Sequence, residues 1–146
     1  MPDTMLSPAQ LITAAKAGII AYNDKDWNAV RANVTPDMTY DEVATGRKTE
    51  GVDAFIALCQ GWAKAIPDSK ATFHNAFVSG DTVVLEVTWK GTQSGPMESP
   101  TGAIPASGKR IELRSCIVVQ LAGERTRVQT QYFDMATLLK QIGVLN

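Results

Sequence analysis

The residues best suited to acid/base chemistry are a tyrosine and a glutamate two positions apart. Tyr40 and Glu42 lie in the segment Met38–Val43, whose β-branched and aromatic residues predict a strand. Side chains two positions apart point to the same face of a strand, so a phenol and a carboxyl group could enter one pocket together. Such a pair suits proton transfer at a carbon next to a carbonyl group. The alternative is that Asp41 and Glu42 are solvated charges at the end of a strand.

Metal and thiol chemistry find little support in the residue types. The chain has a single histidine, His74, and two cysteines, Cys59 and Cys116, without CxxC spacing. We therefore expect no metal site and no disulfide framework. His74 is kept as a candidate ligand-binding residue. Strand alternation nevertheless groups Phe73 with Phe77 and places His74 on the opposite face, where it would reach a subunit interface.

Several aromatic residues could form the apolar wall of a pocket. Phe55 and Trp62 belong to a helical stripe, and Trp89 lies on the inward side of an alternating segment. These residues would suit a flat ligand, and they would also serve as ordinary core residues, which is the role we expect for Trp62.

The elements that must position these residues begin and end with helices. Helices are predicted over about 7–34, in two pieces, over about 50–66 and over about 135–142. Ser7 and Gln10 form a capping box at the first helix. Asp134 precedes the last helix, where we expect it to cap the helix rather than act as an acid.

Strands fill most of the remaining chain. They are predicted at about 38–43, 71–79, 82–92, 110–121 and 125–133, the last four in two hairpins. A loop rich in Gly, Pro and Ser over residues 91–108 would form a lid or rim. Helices followed by mostly antiparallel strands indicate an α+β fold with helices on one face of a curved sheet.

The order of elements and three motifs resemble the SnoaL-like polyketide cyclase (ester cyclase) family. The motifs are GTQSG at 91–95, PASGKR at 105–110 and the closing segment Gln129–Gly143. This family belongs to the nuclear-transport-factor-2-like superfamily, which also contains ketosteroid isomerases. The resemblance implies one domain over 1–146, with a cone-shaped, strongly bent sheet wrapped around the N-terminal helices. It also implies a pocket at one end, a homodimer contact on the outer sheet face, and no metal or organic cofactor.

The resemblance also implies roles for individual residues of the site. In the family, an inward carboxylate near the start of the closing motif is the general acid/base. The match places Gln131 at that carboxylate and Gln129 where histidine often stands, and a glutamine cannot take a proton at pH 7. A comparison with ketosteroid isomerases places Glu42 at their catalytic aspartate instead. Glu42 would then move the proton, and an enolate-like oxygen would be held by Tyr40, Gln131, Gln129 and Ser115.

Net charge and the lengths of the apolar runs limit the classes of partner that we expect this protein to bind. Fourteen basic and fifteen acidic residues give a net charge of −1, which argues against nucleic acid, and the basic pairs at 47–48 and 109–110 are expected to be solvated. The first ten residues lack a basic segment followed by an apolar one, and no run approaches the roughly 18 apolar residues of a membrane span. We therefore expect a cytoplasmic protein that does not bind membranes.

Two functions follow as hypotheses. The first is cofactor-independent isomerisation, cyclisation or hydrolysis of a small apolar molecule with a carbonyl group. The alternative is a non-catalytic module of the same fold that binds a hydrophobic ligand or pairs with another protein.

Overall fold

Four helices lie within residues 5–99 and 101–145, which a computed structural model describes: Pro8–Asn23 (α1), Trp27–Ala32 (α2), Val52–Ala65 (α3) and Met135–Gln141 (α4). Two predicted caps are confirmed. The Ser7 hydroxyl accepts the backbone N–H of Gln10, and the Gln10 side chain accepts that of Ser7. Asp134 caps α4. None of the described helices is long and apolar enough to cross a membrane. Residues 1–4, part of the segment considered for a leader, lie outside the described residues.

Six strands in the described part of the chain form one curled sheet: Val34–Glu42 (β1), Arg47–Glu50 (β2), Lys70–Ser79 (β3), Thr82–Thr92 (β4), Arg110–Ala122 (β5) and Arg125–Phe133 (β6). Their order across the sheet is β2-β1-β6-β5-β4-β3. The β1–β6 pair is parallel and the other four pairs are antiparallel. The predicted α+β class with a mostly antiparallel, bent sheet is confirmed.

Two element boundaries near the start of the sheet differ from expectation. The second helix ends at Ala32 instead of Val34, because Val34 starts β1 and the Asn33 carbonyl accepts the backbone N–H of Thr126. Residues 47–50, expected as a loop and a helix start, form the edge strand β2. The third helix therefore begins later, at Val52.

The inner face of the sheet packs against the helices. On β5 the alternating set Ile111, Leu113, Ser115, Ile117 and Val119 is buried, as its spacing predicts. The core has three parts, each with its own helix. Helix α1 packs on β3, β4 and β5, α3 packs on β1, and α4 packs with the end of α3 on β5. The space left between these parts is the cavity described below.

A bulge in β3 reverses the predicted alternation. Phe73 pairs with Val87 and Asn75 pairs with Glu86, which leaves His74 as an inserted residue. Beyond it Phe77 turns outward and is 56% exposed. The expectation that Phe77 shares the inward face with Phe73 is wrong, because one extra residue exchanges the two faces of a strand.

The loop between β4 and β5 is held at its base. Gln93 is completely buried, and its amide donates to the carbonyls of Gly95 and Pro105 and accepts the backbone N–H of Ser107. Met97 is 2% exposed and packs in the core beside α4. These contacts make the base of the loop a fixed rim of the fold.

Candidate active site

A cavity of about 100 Å³ lies between the helices and the inner face of the sheet. Its wall is mainly apolar, with contributions from all four described helices and from β1, β4, β5 and β6. Most of the sequence-derived candidates line it: Tyr40, Phe55, Trp62, Trp89, Gln129 and Gln131. Small apolar pockets with a few polar groups are typical ligand sites.

Glu42 lies behind this wall, completely buried and not itself among the lining residues. Its Oε1 accepts hydrogen bonds from Thr45 Oγ1 at 2.6 Å and from Arg47 Nε and Nη2 at 3.1 and 2.7 Å. Its Oε2 accepts from Tyr40 Oη at 3.0 Å and Trp62 Nε1 at 2.8 Å. Accepting every bond is the role of an ionised carboxylate. The alternative of a solvated strand-end charge is therefore wrong for Glu42.

Arg47 also belongs to the candidate site, although its position in the sequence did not indicate this. It was expected to be a solvated loop charge, but it forms an ion pair with Glu42, and its guanidinium lies 5.5 Å from the centre of the Trp62 ring. The reason is the β1–β2 pairing, which sets Arg47 directly opposite Glu42. A buried carboxylate needs such a partner, because an unpaired charge in the interior is costly. All four residues of 47–50 are polar, so no alternation of polar and apolar residues indicated this strand.

Tyr40 connects Glu42 to the rest of the site. Its hydroxyl donates to Glu42 and accepts from Gln131 Nε2 at 2.7 Å. Gln131 Oε1 in turn accepts from Trp89 Nε1 at 2.9 Å and Ser115 Oγ at 2.8 Å. Burial and the nearby Glu42 charge raise the pKa of Tyr40 well above its usual range, so its hydroxyl keeps its proton at neutral pH. The result is a continuous hydrogen-bonded chain that ends on the carboxylate.

The remaining candidates divide between the cavity and the outer surface. Gln129 lines the cavity, whereas Ser115 is buried behind Gln131 and is not a lining residue. His74 is exposed on the bulge of β3, and its Nε2 lies 2.7 Å from Thr88 Oγ1. The structure does not bring His74 to the site, so the expectation that it binds the ligand is wrong.

A second polar group in the wall was missed as well. Tyr22 Oη and Ser69 Oγ are 2.7 Å apart, and the Tyr22 ring packs edge-on against Trp89 at 5.3 Å. Burial raises the pKa of Tyr22 to about 12. The thiol of Cys59 also lines the cavity, and burial and the Glu42 charge raise its pKa to about 12. Tyr22 and Cys59 lie in the apolar stripes of α1 and α3, where spacing alone cannot separate core residues from cavity residues.

Solved structures share this fold. TsrD from Streptomyces laurentii is 24% identical, with a TM-score of 0.82 over 97% of this chain and 100% of that chain. A candidate SnoaL-like polyketide cyclase from Jannaschia sp. CCS1 is 19% identical, with a TM-score of 0.84 over 99% and 100%. An LEH-like epoxide hydrolase from M. tuberculosis is 19% identical, with a TM-score of 0.71 over 92% and 90%. At these identities the similarity shows a common fold and leaves the chemistry open.

The family of the chain follows from its sequence. No curated protein matches it. The family model described as SnoaL-like polyketide cyclase matches residues 12–142, nearly the whole chain, in agreement with the fold of the neighbours above. The chain therefore belongs to the SnoaL-like polyketide cyclase family.

Proposed function

We propose that the protein is a cofactor-independent enzyme that carries out acid/base chemistry on a small, mostly apolar molecule with a carbonyl group. The observation that carries this proposal is the 3.0 Å hydrogen bond from Tyr40, which lines the cavity, to the buried carboxylate of Glu42. A buried carboxylate beside an apolar cavity is a common arrangement at catalytic sites. Membership of a polyketide cyclase family supports the same class of chemistry.

In the proposed step, Tyr40 is the group that touches the ligand. A C–H proton next to the ligand carbonyl moves to the Tyr40 oxygen while the Tyr40 proton moves to Glu42 Oε2. The C–H electron pair becomes the π bond of an enolate. Return of the proton to a different carbon completes an isomerisation, and attack of the enolate on a second carbonyl of the same molecule completes a cyclisation. Arg47 and Thr45 hold the carboxylate in place throughout.

A ligand-binding module without catalysis is the second candidate, and a specific observation favours it. Both oxygens of Glu42 are already engaged by protein donors, and so is the Tyr40–Gln131 pair. Groups that satisfy one another in this way can stabilise an empty cavity as well as serve a reaction.

Deuterium exchange separates these two functions. Ligands that co-purify with the protein would be identified by native mass spectrometry, and cyclic ketones would be tested beside them in D₂O. We expect wild-type protein to catalyse exchange at the carbon next to the carbonyl. Glu42→Gln should abolish exchange while retaining ligand binding, and the outer-face variant His74→Ala should match wild type. Binding without exchange for every carbonyl ligand would establish the binding module and refute the enzyme.

We also infer that two copies of the chain pair through the outer face of the sheet. Phe77 and Tyr132 are 56% and 47% exposed on this face, and the paired residues Val84 and Val118 lie between them. Exposed apolar patches of this kind mark interaction surfaces. Light scattering after size-exclusion chromatography should give a dimer for wild type and a monomer for the double variant Phe77→Glu, Tyr132→Glu. A wild-type monomer at micromolar concentration would contradict the pairing.

A further inference from the structure

We propose that Gln129 selects the ligand by binding an uncharged carbonyl or hydroxyl group with its side-chain amide. This inference rests on the proposed function in one respect, because it takes the cavity as the ligand site. It goes further by assigning the ligand oxygen to Gln129 alone among the four residues expected to hold it, and by excluding charged ligands.

The first argument is that hydrogen bonds within the protein already occupy most polar groups of the cavity wall. The Trp62 and Trp89 indoles donate to Glu42 and Gln131, the Gln131 amide is engaged at both ends, and Tyr22 is paired with Ser69. Of the four residues expected to hold the ligand oxygen, Tyr40, Gln131 and Ser115 are thus already engaged by protein groups.

Gln129 differs from these groups. Its side chain lines the cavity and makes no hydrogen bond to any of the described residues. The residue is half-buried, and because no protein group occupies its amide, a ligand in the cavity can pair with it and gain affinity. Within the described wall, the Cys59 thiol and Asn33 Oδ1 also lack partners. A thiol is a weak donor and Oδ1 only an acceptor, so the Gln129 amide is the strong donor left for a carbonyl oxygen.

The second argument is position. Gln129 pairs with Tyr40 in the β1–β6 register, and it lies two residues before Gln131 on the same face of β6. A carbonyl oxygen held by the Gln129 amide is therefore next to Tyr40. The C–H bonds beside that carbonyl then lie within the neighbourhood of the Tyr40 hydroxyl, as the proposed proton transfer requires.

The third argument is charge. The described residues of the cavity wall include no Asp, Glu, Lys, Arg or His. Charged groups contact the wall residues from behind: Glu42 and Arg47 are paired with each other at 2.7 Å, and the Lys25 ammonium donates to the Ser69 carbonyl and lies 4.4 Å from the centre of the Tyr22 ring. A carboxylate or ammonium group in the cavity would be buried without a partner, which is strongly unfavourable. The volume of about 100 Å³ suits a single ring or the ring end of a longer molecule.

The test compares three ring compounds of similar shape: cyclohexanone, methylenecyclohexane and cyclohexanecarboxylate. Methylenecyclohexane replaces the carbonyl oxygen with a CH₂ group, and the carboxylate adds a charge. Dissociation constants would be measured by NMR titration of wild type, Gln129→Leu and Gln129→Glu. Gln60→Leu, an exposed position on α3, is the matched control. The side-chain amide signal of Gln129 is assigned by its absence in Gln129→Leu.

We expect wild type and Gln60→Leu to bind cyclohexanone about fivefold more tightly than methylenecyclohexane, in line with one neutral hydrogen bond. Cyclohexanone should shift the Gln129 amide signal, and the carboxylate should bind weakest. Gln129→Leu should bind both neutral rings equally, and Gln129→Glu should lose the ketone preference because it offers no amide donor.

Three results would overturn the proposal: a ketone preference retained in Gln129→Leu, tighter binding of the carboxylate than of the ketone, or no binding of any ring compound to wild type. The readout is binding without turnover. Failure of the exchange experiment with Glu42→Gln would therefore refute the enzyme and leave the role of Gln129 standing.

Discussion

Arg47 donates from both Nε and Nη2 to the same oxygen of Glu42, across the β1–β2 pair. That oxygen is thereby committed to the edge strand, and the other oxygen meets Tyr40 and Trp62 on the side of the cavity. One oxygen of the carboxylate thus anchors it to β2, and the other contacts two residues of the cavity wall. This division explains how a completely buried acid can be accommodated close to an apolar cavity.

Loss of the anchoring cation should destabilise the protein. Arg47→Met leaves the buried Glu42 carboxylate without its charged partner, so we expect the free energy of unfolding to fall by about 3 kcal/mol. Lys48→Met, at the exposed neighbouring position, should change it by less than about 0.5 kcal/mol. Urea denaturation of both variants measures the difference. Equal stability of the two variants would show that Arg47 does not compensate Glu42.

Removal of the bridging hydroxyl should separate catalysis from binding. Tyr40→Phe leaves Gln131 Nε2 and Glu42 Oε2 each short of one partner, which should cost about 1–2 kcal/mol of stability. Proton exchange at the ligand should fall at least about 100-fold, because the relay is interrupted. Tyr22→Phe removes a phenol elsewhere in the same cavity and should retain exchange. Undiminished exchange in Tyr40→Phe would remove Tyr40 from the reaction path.

Stability should decline on the alkaline side of pH 9. Burial raises the pKa of the Cys59 thiol from 9.0 to about 12 and that of Tyr22 from 10.0 to about 12. Between these values the unfolded chain releases protons that the folded chain retains, so the free energy of unfolding decreases as the pH rises. Denaturation at pH 8, 9, 10 and 11 measures this slope. Cys59→Ala should make the decrease in the free energy of unfolding just above pH 9 less steep. Cys116→Ala, on the outer sheet face, should reduce that slope less. Identical slopes in both variants would contradict the assignment.

Replacing each of two glycines with alanine should change the stability of the fold in opposite directions. A Cβ atom at Gly95, in the rim loop, would overlap the backbone carbonyl of Lys64, so Gly95→Ala should destabilise the fold by about 1–3 kcal/mol. Gly61 lies inside α3 with open space around its Cα. Gly61→Ala should therefore stabilise the fold by up to about 1 kcal/mol. Thermal denaturation of the two variants tests both signs, and a neutral Gly95→Ala would show that the rim loop can move away from α3.

Local patterns were sufficient for much of the fold. The Ser7 and Asp134 caps, the alternation of β5 and the β3–β4 and β5–β6 hairpins depend on residues close in sequence or on a strict two-residue period. The same period placed Tyr40 and Glu42 on one strand face, and their side chains do share a hydrogen bond. These features are predictable because the interactions that produce them repeat at short, regular spacing.

Other features arose only from contacts between distant segments. The inserted residue at His74 turned Phe77 outward, and the pairing of β2 with β1 brought Arg47 to Glu42. The sequence showed that Gln131 cannot act as a base, but its donors, Trp89 and Ser115, come from two other strands. Register and hydrogen-bond partners of this kind depend on which strands meet and where a bulge falls. The one-dimensional pattern of polar and apolar residues does not contain that information, whereas the packed sheet does.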